Sequence, residues 1–252
     1  MAADIVPELV AALTADFAKR LTKAEALPLL MEKIRGGTAT HSDGQEFAQL
    51  RGEVLSETFQ DIITPEALPG GRFYWNIAQR TVRPMLEANY EAINDAGQMI
   101  QAGIDKRDGL GLKALRGVFA EGRVRGLIEK LTDDNTPTEE ALRFLGEPVV
   151  NCSEAFYDDF IAANASARYR MGMNVTITRE LGPAERRSYR AGRRTRAYNI
   201  PCAWCQSLAG VYNYADLRQG SDVWKRHESC RCTISMTSAR NDGAALTRER
   251  WS

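Results

Sequence analysis

Four of the chain's five cysteines and one of its two histidines fall between Ile200 and Met236, in the stretch IPCAWCQSLAGVYNYADLRQGSDVWKRHESCRCTISM. Cys202 and Cys205 form a C-x-x-C, twenty-one residues follow, and His227, Cys230 and Cys232 form H-x-x-C-x-C. Zinc takes about four soft or borderline ligands in a tetrahedron, and a C-x-x-C turn offers two thiolates on one knuckle. A C-x-C on extended chain sends both side chains to one face, so the second group can supply the remaining ligands. Five candidates stand for about four positions. Cys202, Cys205 and Cys230 rank first, then His227, then Cys232, with one of the five left as a bystander or supporting group. The expectation is a structural zinc site, about one per chain.

Other chemistries are served less well by the same residues. The P-C-x-x-C of PCAWC is half of a zinc deaminase signature, but the other half, an upstream H-x-E with a glutamate proton shuttle, is missing. The upstream histidine, His41, is followed by Asp43 and reads as a helix-start residue. A thioredoxin-like dithiol would open a helix after a strand of a βαβ unit, and no such unit is legible. A zinc nuclease would need a further His, Asp or Glu to activate water. Asp158 and Asp159 are adjacent acids, but neighbours on a helix point about 100° apart and do not converge on one atom, so they are not expected to be catalytic.

A structural metal also has an energetic rationale. A segment of about 60 residues with two short strands buries too little apolar surface to hold itself together, whereas a structural zinc is worth on the order of 10 kcal/mol. Trp204, Tyr212, Tyr214 and Trp224 are expected to pack around the cluster.

The elements that must position these groups are mainly helical. LTKAEALPLLMEKIRGG offers Thr22 with Glu25 at capping-box spacing, an apolar stripe and a Gly-Gly stop. HSDGQEFAQLRGEVLSETFQDII spaces Phe47, Leu50, Val54, Leu55, Phe59 and Ile62 along one helix face. After a break at TPEALPGG, Pro84 is placed in the first turn of the next helix. Further helices are predicted over 112–131, over 137–145, and over SEAFYDDFIAANASARYRMG, which stops at Gly172. The period then changes to two: NVTITREL and CTISM both read as strands. The predicted fold class is therefore mainly α, a helical body over 1–148 followed by a small α+β, zinc-stabilised module over 149–240 and a tail over 241–252.

The 252 residues carry no net charge, yet the halves differ. Residues 1–150 hold 17 Lys and Arg against 23 Asp and Glu, while 151–252 hold 16 against 10. Arg186, Arg187, Arg190, Arg193, Arg194 and Arg196 form a basic run, which reads as a patch for phosphates or an acidic protein surface, or as a solvated face. No apolar run approaches the roughly 18 residues of a membrane span, and no signal segment follows Met1-Ala2-Ala3-Asp4. A cytoplasmic site of synthesis is expected, where clustered thiols mean metal more often than disulfides.

The stretch from about Phe156 to about Met236 resembles the C-terminal part of the minor head proteins, or head morphogenesis proteins, of tailed bacteriophages and prophages. The shared pattern is Cys202 and Cys205, Leu208-Ala209-Gly210, Tyr212 and Tyr214, then Val223-Trp224-Lys225-Arg226-His227 with Cys230, Cys232 and Thr233. The resemblance implies a structural, non-enzymatic virion component. It would be made in the host cytoplasm, sit in the head near the portal or inner capsid face, and assist head assembly or DNA packaging and ejection. It implies portal or major capsid protein as partner, packaged DNA as another, no membrane, and a multimeric state within the virion. Some relatives carry a C-terminal toxin or effector domain, for which the twenty residues after Cys232 leave no room. The reading of a different class is a zinc-containing DNA-binding or nuclease-like protein that uses the arginine run.

Overall fold

The structure is a computed structural model that describes residues 4–182, 186–187, 196–197, 203–217, 220–227 and 230–240. The chain forms two compact units, Met1–Asn164 and Ala165–Ser252.

The first unit is built from α1 (Val6–Lys23), α2 (Ala26–Arg35), α3 (His41–Ile62), α4 (Trp75–Arg107), α5 (Glu121–Leu131), α6 (Thr138–Phe144) and the first part of α7 (Gly146–Arg170). Its core is apolar side chains recurring every three or four residues: Leu13 on α1, Leu55 and Phe59 on α3, Leu86, Ile93 and Ile100 on α4, and Phe156 and Phe160 on α7, each at most 1% exposed. Burial of each such side chain stabilises the fold by about 1.5–3 kcal/mol, which outweighs local propensity.

That balance accounts for three departures from the sequence reading. The helix after the break does not begin at Pro84 but at Trp75, so the proline lies inside α4. The turns on either side of it bury Ile77, Ala78, Val82, Met85 and Leu86, and this packing carries the helix through the missing N–H. The helix predicted from 112 starts only at Glu121. Residues 112–120 run without helical structure because two buried asparagines take over their backbone groups. Asn164 Oδ1 accepts from Leu115 N at 2.8 Å while its Nδ2 donates to Leu115 O at 2.9 Å, and Asn94 Oδ1 accepts from Gly117 N at 2.7 Å. A Cβ on Gly117 would stand 2.5 Å from Phe160 N, so the segment lies directly on the α7 backbone. Thr22 is no N-cap: it lies within α1 and donates to Lys19 O at 2.8 Å. The capping box of the unit is Thr40 with Asp43, at the start of α3.

The boundary read at 148 lies in the first turn of α7, whose start Gly146 and Pro148 mark. Among the described residues the second unit holds the end of α7, a short helix α8 (Ala203–Leu208) and five strands: β1 (Asn174–Glu180), β2 (Arg186–Arg187), β3 (Arg196–Ala197), β4 (Gly210–Asn213) and β5 (Thr233–Ala239). The two strands read from sequence are β1 and β5. They pair antiparallel with each other, Ile177 opposite Met236 and Glu180 opposite Thr233. On its other side β1 pairs antiparallel with β4, Arg179 opposite Gly210, giving the order β4-β1-β5. The alternation in β1 turns Val175, Ile177 and Arg179 to the buried face. The fold is thus mainly α with a small C-terminal sheet, as the sequence indicates. Among the described residues no helix is long and apolar enough to cross a membrane.

Candidate metal centre

The sheet topology brings the two ligand groups together. β4 and β5 both run antiparallel to β1, so both begin at the same end of it, beside Arg179 and Glu180. Cys205 lies on α8, immediately ahead of β4, and Cys230 and Cys232 lie immediately ahead of β5. The period-two alternation of β5 extends back beyond its first residue: Cys230, Cys232, Ile234 and Met236 are all buried, with Arg231, Thr233 and Ser235 between them less so. The C-x-C therefore sends both thiols to one face, as its spacing predicts.

Cys205, His227 and Cys230 present ligand atoms that all lie within 4.8 Å of one another, close enough to hold a metal ion. Cys205 Sγ is 3.8 Å from Cys230 Sγ and 2.9 Å from His227 Nε2. Tetrahedral zinc with bonds of about 2.3 Å to sulfur and about 2.0–2.1 Å to nitrogen sets S···S edges near 3.8 Å and S···N edges near 3.5 Å. The first distance already matches, and the second must open by about half an ångström. Cys205, Cys230 and Cys232 are 4%, 1% and 3% exposed and form one buried cluster with Trp204 packed against it. The Cys232 thiol is held below its usual pKa, chiefly by a hydrogen bond from the Cys230 side chain, while that bond and burial push Cys230 up.

Of the remaining predicted ligands, Cys202 lies outside the described residues, as do Arg190, Arg193 and Arg194. Arg186 and Arg187 belong to β2 and Arg196 to β3, with Arg187 opposite Arg196. Among the aromatic residues, Trp204 meets the His227 ring edge-on at 5.4 Å. Tyr214 packs instead on Tyr169 at 5.4 Å, and Tyr212 donates its hydroxyl to Leu208 O at 2.8 Å. The fifth cysteine, Cys152, is buried in α7, and burial pushes its thiol up to about 12. His41 is the first residue of α3, buried, with Nδ1 3.1 Å from the Tyr157 hydroxyl. It belongs to the first unit's core.

The sequence reading missed two residues that shape the centre. Arg179 is 1% exposed, and its Nη1 donates to the carbonyls of Val223 at 2.5 Å and Lys225 at 2.9 Å. This ties the chain just ahead of His227 to β1. The legible signal was Val175-x-Ile177-x-Arg179, an alternation that puts a charge where an apolar residue is due. The second is Gly182, where a Cβ would stand 2.1 Å from Arg231 O. The exit from β1 therefore lies flush on the backbone that joins the two cysteines. Arg226, part of the basic pair before His227, donates to Cys230 O at 3.3 Å and Cys232 O at 2.9 Å.

No protein-family model matches the chain, and no curated protein or solved structure matches it either.

Proposed function

We propose that this chain is a minor head protein of a tailed bacteriophage or prophage, a structural virion component whose C-terminal unit is held together by one zinc ion. The observation that supports the reading is the convergence of Cys205 with His227 and Cys230, from the two separated halves of the cysteine motif on which the resemblance rests, with ligand atoms within 4.8 Å of one another. The donor set favours zinc, because thiolate and imidazole are the ligands of structural zinc and hard cations take oxygen instead. Burial of the three thiols supports a structural rather than a catalytic metal, since a catalytic zinc keeps one position open to water or substrate.

On this reading the helical unit and the zinc module dock to portal or major capsid protein inside the head, and the arginine run from Arg186 to Arg196 meets packaged DNA or an acidic face of a head protein. The test is made in the phage or prophage that encodes the chain. Purified heads should contain it, the isolated protein should hold about one zinc, and a C205S chain should be missing from heads. If the protein is absent from heads and instead cuts DNA with a divalent metal, with C205S abolishing the cleavage, the nuclease-like reading replaces this one.

A further inference from the structure

A charged residue fully inside a small unit requires a counter-charge, because isolated ions pay a desolvation penalty of several kcal/mol. Arg179 is such a residue, at 1% exposure. Its hydrogen-bond acceptors among the described residues are the backbone carbonyls of Val223, Lys225 and, at 3.5 Å, Asp222, together with the sulfur of Cys230 at 3.6 Å from Nη2. None is a carboxylate, and Nε has no acceptor among the described residues. The guanidinium also lies over the Trp204 ring, 5.4 Å from its centroid, and Trp204 packs on the same thiol cluster.

The charge missing on one side of this contact is in excess on the other. Two thiolates neutralise a divalent cation, and each further thiolate leaves a buried negative charge. The buried cluster holds three thiols, Cys205, Cys230 and Cys232, two of which, Cys205 and Cys230, converge with His227 as the neutral donor; a third cysteine would complete the tetrahedron. A dication bound by three thiolates and an imidazole carries a net charge of minus one. A single guanidinium cancels it.

We infer that Arg179 is the counter-charge and positioning residue of the metal centre, compensating a thiolate-rich site by an N–H···S hydrogen bond to Cys230 while its other arm fixes the Val223–Lys225 segment that delivers His227. The inference rests on the metal reading above. It adds that the site is tuned for an anionic, thiolate-rich complex and that a residue of β1, far from both cysteine motifs in sequence, sets its affinity and thiolate reactivity.

The test uses the full chain with Arg179→Met, which keeps the volume without the charge, and Arg179→Lys, which keeps the charge without the fork. Zinc affinity is measured by chelator competition, the cobalt-substituted protein gives the thiolate-to-metal charge-transfer bands, and iodoacetamide reports the reactivity of the metal-bound thiolates. Partners that orient and polarise metal ligands are worth about 10–100-fold in affinity. R179M should lose about that much, R179K less, with charge-transfer bands shifted and alkylation several-fold faster than in the parent in both. A residue that merely packs would leave the bands and the alkylation rate where they were. Parent affinity, bands and alkylation rate in R179M would overturn the inference. If R179M does not fold with zinc present, R179K decides: faster alkylation than in the parent supports the inference, and an equal rate overturns it. A parent chain that binds no zinc at all would instead remove the metal reading itself.

Discussion

Cys205 Sγ stands 2.9 Å from His227 Nε2 although 22 positions separate them in sequence. The contact is of hydrogen-bond length, shorter than the S···N edge of about 3.5 Å around a tetrahedral zinc. If zinc then holds the second unit together, its removal should be felt there first. The zinc-loaded chain should melt in two steps, and chelator or C205S should lower the weaker step by more than 10 °C while the helical signal of the first unit survives, given a metal contribution on the order of 10 kcal/mol. A melting curve indifferent to chelator would contradict this.

Gly182 offers a second perturbation of the centre without touching a ligand. Its Cβ would meet Arg231 O at 2.1 Å, so Gly182→Ala must push the backbone between Cys230 and Cys232. Zinc affinity in a chelator competition should fall about tenfold or more, as for other supports of metal ligands. Gly122 on α5, with open space where its Cβ would go, is the control. Alanine there should leave zinc binding alone and raise stability by up to about 1 kcal/mol. Equal affinity in both variants would show that the close approach is relieved at no cost to the site.

Asn164 closes the non-helical segment onto α7 through Leu115 N, Leu115 O and Phe160 O. Asn164→Ala leaves the half-buried N–H and carbonyl of Leu115 without their partner, each worth at most about 1–3 kcal/mol. Denaturant unfolding of the first unit should show a loss of about 2–4 kcal/mol. A loss below about 0.5 kcal/mol would mean that residues 112–120 hold their course by other means.

Asp159 makes the same unit sensitive to pH. Burial first, and the neighbouring Asp158 second, push its carboxyl from 3.8 to about 6, with Arg123 opposing. A raised folded pKa means that the fold prefers the protonated acid. This contribution is therefore complete below pH about 4 and is lost as pH rises through about 6. Asp159→Asn should abolish that slope and stabilise the chain at pH 7, by at most about 3 kcal/mol for a shift of this size. An unchanged slope between pH 4 and 7 in urea melts of D159N would refute it.

Where the sequence reading succeeded, one physical pattern dominated its segment. The apolar stripe of α3, the threonine alternation of β1 and the C-x-C face each report their neighbours directly. It failed where tertiary contacts overrode the local pattern. Pro84 was given a first-turn role because nothing nearby reveals that Ile77 and Val82 are buried. Residues 112–120 look helical until Asn94 and Asn164, distant in sequence, claim their backbone. β4 passed unnoticed because Gly210–Asn213 is four residues long and alternates weakly; its pairing with β1 defines it. At the candidate metal centre the converging residues Cys205, His227 and Cys230 were legible from type and spacing, but Arg179 and Gly182 were not, since they matter through what lies against them.

The common starting end of β4 and β5 has a consequence for how the second unit can go wrong. Side chains alternate with a period of two, so a slip of β5 by one residue would turn Cys230 and Cys232 from one face of the sheet to the other, and a slip of β4 would displace α8 and Cys205 along β1. Cys205 and Cys230 can then no longer meet. A metal held between the two flanks of β1 would thus act as a proofreader of strand register: misaligned or exchanged sheets would forfeit the ion, and only the correctly paired sheet would retain it.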